Sequence, residues 1–164
     1  MPGMSDEASE KAWLEDVLTR QIPLGGAMGL RIARLDETGL ELHLPLDPNI
    51  NDKGTAFGGA LSGAMLLAGW SLPRILLRRA GLSGDLVVSR CETRFIAPVS
   101  NDFKVICDWP DPQDCEHFLE VFRHRHRGRL ALEPRVEVDG EVAAALIARY
   151  AALQKLPEVQ GAQC

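Results

Sequence analysis

A chain of 164 residues, 46% of them hydrophobic, is long enough to bury a sizeable core in one domain. Its formal net charge of −5 excludes a general nucleic-acid binder. Cys91, Cys107, Cys115 and Cys164 form neither a C-x-x-C pair nor metal-ligand spacing, and the N-terminus lacks a basic-then-apolar leader pattern, so a reduced, cytoplasmic, metal-free protein is expected.

Ser5-Asp6-Glu7 predicts a cap and first-turn acids for a helix over about 5–20, with Trp13, Leu14, Val17 and Leu18 as its apolar stripe. Pro23 and Gly25-Gly26 are expected to break the chain. Gly29–Leu35 and Leu40–Leu46 read as a hairpin across Asp36-Glu37-Thr38-Gly39, because Leu40, Leu42, Leu44 and Leu46 alternate with Glu41, His43 and Pro45.

The stretch from Asn49 to Gly81 organises the rest. A polar loop ends in Thr55-Ala56-Phe57-Gly58-Gly59, and an almost wholly apolar segment follows, so a helix over about 58–80 is expected to be buried all round. Arg74, Arg78, Arg79 and then Gly81 are stop signals. The run from Gly54 to Pro73 carries no charge, but only about 15 residues are helical before Arg74, short of the roughly 20 that span a bilayer. A core helix is expected, kinked at Pro73 over Gly69 rather than ended there.

Asp85–Val99 reads as a long strand whose odd positions, Val87 to Ala97, face the helix while Arg90, Glu92 and Arg94 share the other face. Phe103, Val105, Cys107 and Trp109 mark the apolar face of a fourth strand. Asp111-Pro112 starts an inserted helix with Cys115, Phe118, Leu119 and Phe122 on one face, ending at His124–Gly128. Leu130–Val138 and Glu141–Leu153 form a second hairpin across Asp139-Gly140. The last strand is rich enough in small apolar residues to be covered on both faces. One domain over 1–154 and a frayed, disordered tail over 155–164 complete the expectation.

A long apolar helix has no room in a doubly wound parallel sheet. An α+β hotdog fold, an antiparallel sheet curled around one helix, accounts for its apolarity and for small residues such as Gly59, Ala60, Gly63, Ala64 and Ala68. Asn51, Phe57-Gly58-Gly59 and Arg94-Phe95-Ile96-Ala97-Pro98 resemble hotdog acyl-thioester hydrolases. Gly54-Thr55-Ala56-Phe57-Gly58-Gly59 and Gly69-Trp70 resemble the YiiD-type C-terminal thioesterase-like domain, a likeness that covers roughly Ile22 to Leu153. In the phenylacetyl-CoA-thioesterase-like branch a histidine stands where this chain has Phe57, and a helical acid where it has Leu66.

The resemblance implies a homodimer, or a dimer of dimers, that hydrolyses an acyl-CoA or acyl-carrier-protein thioester by direct attack of water, with no cofactor. Gly58 and Gly59 are then an oxyanion site, or else glycines required by close helix–sheet packing. Asn51 orients water or carbonyl, or is an ordinary turn residue. Asp52, the only carboxylate of the loop, is a candidate general base or a solvated acid. Thr55, Phe57, Gly58, Leu61, Met65 and Arg90 are candidate substrate contacts, with Leu61 and Met65 lining an acyl tunnel.

Glu92 is an interface acid or part of a solvated face. Arg123, Arg125, Arg127 and Arg129, interleaved with His124 and His126, receive coenzyme A phosphates or form a cationic last turn. His43 and His117 have no evident partner, and Cys91 has no histidine to activate it. A non-catalytic acyl-thioester binding module is the alternative from another class. A hotdog dehydratase or hydratase ranks last, because it needs a histidine and a carboxylate where Phe57 and Leu66 stand.

Overall fold

The computed structural model describes residues 4–155, with side chains from Asp6 onward. The expected frayed tail lies, past Lys155, outside the described residues. Helix α1 (Met4–Asp16) runs into a π-helical turn, Val17–Gln21. Helix α1 begins at Met4, so Ser5 lies inside the helix and not ahead of it. Leu14, Val17 and Leu18 are buried as expected, and Trp13 lies beneath the Arg74 and Arg78 guanidinium groups at 5.5 and 4.6 Å.

The break expected at Pro23 is instead a short helix, α2 (Pro23–Ala27), with proline at its first position, where its missing N–H costs nothing. Gly25 and Gly26 allow α2 to stack on the preceding turn, since a Cβ on either would meet the carbonyl of Leu18 or Thr19.

Strands β1 (Arg31–Leu35) and β2 (Gly39–Leu44) pair as the expected hairpin, with Leu40, Leu42 and Leu44 buried. After a 3-10 turn at Asp47–Asn49 and the polar loop comes α3 (Gly58–Arg79). It closes with Gly81 in the left-handed region and Leu82 N–H bonded to Leu77 O at 2.9 Å, the chain reversal the stop signals predict. The helix passes through Pro73 without ending. It is not buried all round: Ser62, Gly63, Leu66, Leu67 and Trp70 are only half-buried. Alone among the described helices, α3 is long and apolar enough to cross a membrane; here the sheet wraps it, and 61% of its most apolar window is buried.

The remaining elements are β3 (Asp85–Phe95), β4 (Phe103–Asp108), α4 (Pro112–Arg125), β5 (Arg127–Leu132), β6 (Arg135–Val138) and β7 (Glu141–Leu153). All strand pairs are antiparallel, in the order β1-β2-β4-β6-β7-β3, and β5 also pairs with β7. Seven strands replace the expected six. Pro134 cannot donate to a ladder, so the arm read as Leu130–Val138 is split into β5 and β6, both lying along β7. This curled sheet around α3 is the hotdog arrangement.

Two features of β3 position the site. One side of the strand pairs with β7, and the other is a free edge. A bulge at Ser89, between the Val88–Tyr150 and Arg90–Arg149 pairs, shifts the alternation by one residue. Cys91, Thr93 and Phe95 therefore face α3 as expected, in register with buried Ala148, Leu146 and Ala144. Before the bulge, Leu86 and Val88 face inward, and Val87 points away from the helix, against expectation.

Candidate active site

The first turn of α3 opens on the concave side of the sheet, beside the end of β3. Phe57 is its extended N-cap residue and offers no side-chain cap. The Ala60 and Leu61 N–H groups donate to Phe57 O at 2.9 and 3.1 Å, and Phe57 N–H donates to Asn49 O at 2.7 Å. Among the described residues no acceptor reaches the Gly58 or Gly59 N–H. Two free donors thus sit at the positive end of a 22-residue helix. Neither glycine has a positive φ, so their value here is open space rather than a left-handed backbone. That space is partly filled by aromatic rings: a Cβ on Gly59 would run into the Phe57 ring, and one on Gly58 would lie 3.3 Å from the Phe95 ring. Both rings are largely exposed, at 58% and 59%.

Next to Gly59 is an apolar pocket of about 300 Å³ lined by Leu24, Met28, Asn49, Ile50, Phe57 and others. Asn49 contributes the one polar side chain to its wall. It is 4% exposed, and its Nδ2 donates to Met28 O at 2.9 Å and Pro45 O at 2.8 Å. Two carbonyl partners fix which end of the carboxamide is nitrogen. No donor among the described residues reaches Oδ1, and the atom is not sealed from solvent, so it is a free acceptor of a residue that lines the pocket. Sequence reasoning does not single out Asn49: asparagine in a loop entry is ordinary, and only the buried Met28 and Pro45 carbonyls distinguish it.

Asn51 is turned into its own loop. Its Nδ2 donates to Thr55 Oγ1 at 2.8 Å, and its Oδ1 accepts from the Lys53 and Thr55 N–H groups at 2.8 and 3.1 Å. The backbone closes the same turn, with Asn51 N–H bonded to Thr55 O at 2.8 Å. Thr55 is half-buried within that turn, and Asp52 is exposed at its tip. Phe57, Gly58 and Gly59 form the helix mouth itself, Asn51 and Thr55 lie in the loop that leads into it, and Asp52 stands out at the tip of that loop.

Leu61 and Met65 lie one and two turns deeper, packed in the core. Arg90 is outside this group. It stands on the outer sheet face, in register with Arg149, with Glu92 and Arg94 on the same face. Among the described residues Glu92 forms no ion pair.

The remaining titratable candidates lie elsewhere. His43 has a partner after all, Glu41 Oε1 at 2.7 Å on the same strand face. That hydrogen bond, aided by the charges of Lys104, His43 and Arg34, holds the Glu41 carboxyl below its usual range against the opposing effect of burial. Burial pushes the Cys107 thiol up to about 12, which leaves it unreactive at neutral pH. No titratable side chain lines the pocket beside Gly59.

The family described as "Putative thioesterase (yiiD_Cterm)" matches residues 11–154. Among solved structures, a protein of unknown function from Chlorobaculum tepidum superposes with a TM-score of 0.85 at 28% identity, covering 91% of this chain and 97% of its own. A protein from Shewanella oneidensis described as a putative thioesterase gives 0.81 at 25% identity, covering 89% and 99%. A Pseudomonas aeruginosa protein described as a probable thioesterase gives 0.75 at 23% identity, covering 88% and 95%, and shares the fold. No curated protein matches the chain at significance.

Proposed function

The chain belongs to the YiiD-type C-terminal thioesterase family, and on that premise we propose that it hydrolyses an acyl-CoA or acyl-carrier-protein thioester at the mouth of α3. The observation that carries this reading is the pair of unpartnered N–H groups, Gly58 and Gly59, opening beside an apolar pocket. The thioester carbonyl oxygen takes both donors, with the acyl chain in the pocket. Water held by Asn49 Oδ1 attacks the carbonyl carbon, and the oxyanion that forms is stabilised by the same two N–H groups and the helix dipole.

Collapse breaks the carbon–sulfur bond and releases a thiol and a carboxylic acid. The water proton leaves by Asp52 or by solvent. A thiolate departs readily, so little acid catalysis is required of residues near Phe57 and Leu66. Asn51 acts by holding the loop that carries Asp52 and Thr55.

The working unit in this proposal is a homodimer. Val88, Cys91 and Phe95 face inward from β3 yet remain exposed. With Phe57, Ile96 and Ile50 they leave apolar surface around an unpaired strand edge. Such surface calls for a partner, and a second copy joined through β3 covers it.

Thiol release from a panel of acyl-CoA and acyl-carrier-protein thioesters tests the activity. Saturable release with at least one acyl group is expected. The absence of any titratable side chain in the pocket lining favours the second reading, a binding module without turnover. Thermal protection by acyl-CoA with no thiol release across the panel would establish that reading instead.

A further inference from the structure

A second concavity lies at the far end of β7, between α4 and the outer face of the sheet. Its volume is about 450 Å³, its polar walls are His117, Arg125, Arg127 and Arg129, and Ala151 and Leu153 form its floor. Arg127 and Arg129 are two apart on β5, in register with Leu153 and Ala151, so both point the same way. Leu130 and Leu132 of that strand are buried toward the core, which places the arginines outside. One strand further on, Arg149 stands on the same face directly opposite Arg90, a like-charge pair that costs stability unless an anion lies near.

No carboxylate lines this pocket, although the chain carries 23 Asp and Glu against 18 Lys and Arg. Among the described residues Arg125, Arg127 and Arg129 form no ion pair. Asp85, on the same sheet face, is two strands from Arg127 across Leu153. The negative end of the α4 dipole accounts for Arg123, His124 and Arg125 in the last turn of that helix. It does not account for Arg127 and Arg129, which lie past the helix on a strand.

We propose that this pocket binds phosphate, presented by a nucleotide or as the free anion. Three guanidinium groups around one concavity supply planar forks that match phosphate oxygens. The apolar floor of Ala151 and Leu153 gives a base or sugar a surface to rest on. The site is separate from the α3 mouth. Phe95 pairs with Ala144 and Arg127 with Leu153, nine residues along β7, which is about 30 Å of strand at about 3.3 Å per residue. It stands whether or not the chain cleaves thioesters.

Titration calorimetry at low salt, with adenosine 3′,5′-diphosphate and with inorganic phosphate as separate probes, tests this. Wild type, Arg127→Gln/Arg129→Gln and the remote control Arg20→Gln are compared, their folds checked by circular dichroism. Saturable binding is expected in wild type and in the control, weakened about tenfold or more in the double variant and by added salt. A nucleotide affinity at least about tenfold above that of phosphate assigns the nucleotide as the ligand; equal affinities assign the free anion. Absence of saturation by either probe up to roughly 10 mM, or equal weakening in the control and the double variant, overturns the proposal.

Discussion

Asn49 and Asn51 stand two residues apart and act differently. Asn49 is buried and ties the loop to two carbonyls of other segments, Met28 and Pro45. Asn51 is half-exposed and ties the loop only to itself. Asn49→Ala strands two carbonyls, at a cost of roughly 2–4 kcal/mol. Asn51→Ala loses local bonds that water replaces, at a cost of about 1 kcal/mol or less. Its turnover is expected to fall by about tenfold or more, because the loop that leads into the helix mouth loses the bonds that fix it. Urea denaturation and thiol release on both variants check this; the reverse order of stabilities would contradict it. That a helix opens at the Gly58-Gly59 pair is legible in the sequence, because two glycines stand directly ahead of a long apolar run. Which asparagine matters is not, because one of the two carbonyls that hold Asn49, that of Met28, lies 21 residues away.

At the scale of elements, α3 packs closely on β7. Tyr150 is buried beneath the helix and donates its hydroxyl to Leu66 O at 2.8 Å. Burial pushes the phenol well above its usual range, so it remains a donor throughout ordinary pH. A Cβ at Gly69 would lie 2.5 Å from that hydroxyl and 3.0 Å from the ring. Tyr150 cannot yield, so Gly69→Ala is expected to destabilise by roughly 1–3 kcal/mol. Gly63→Ala meets only the Met28 methyl at 3.2 Å, a flexible end that moves aside, and is expected to stay within about 1 kcal/mol of wild type. Denaturation midpoints of the two variants measure the difference, and equal midpoints would contradict this account of the packing.

Periodicity finds these elements well: α3, β7, the Asp111 cap of α4, bonded to Gln113 N–H at 2.8 Å, and the Asp139-Gly140 turn all stand where the sequence predicts. It fails where one residue changes the phase. The bulge at Ser89 reverses the faces of β3 below it, and Pro134 divides one expected strand into two. Neither Ser89 nor its neighbours carry a bulge signal. Pro23 is ambiguous in sequence, since proline both ends a strand and begins a helix.

At the scale of the whole molecule, the free edge of β3 and the exposed inward faces of Val88, Cys91 and Phe95 call for a second copy. Light scattering at micromolar concentration is expected to give at least twice the 18.0 kDa of one chain; a monomer would contradict the dimer proposal. The central claim concerns the helix mouth, and Gly59→Val tests it most directly. The added side chain displaces the exposed Phe57 ring and fills the approach to the two free N–H groups, in a backbone conformation that valine adopts without strain. Turnover of the best thioester, measured beside the melting temperature, is predicted to fall about 100- to 1000-fold while stability stays within about 1 kcal/mol. Full activity in this variant, or loss of its fold in step with its activity, would contradict the account.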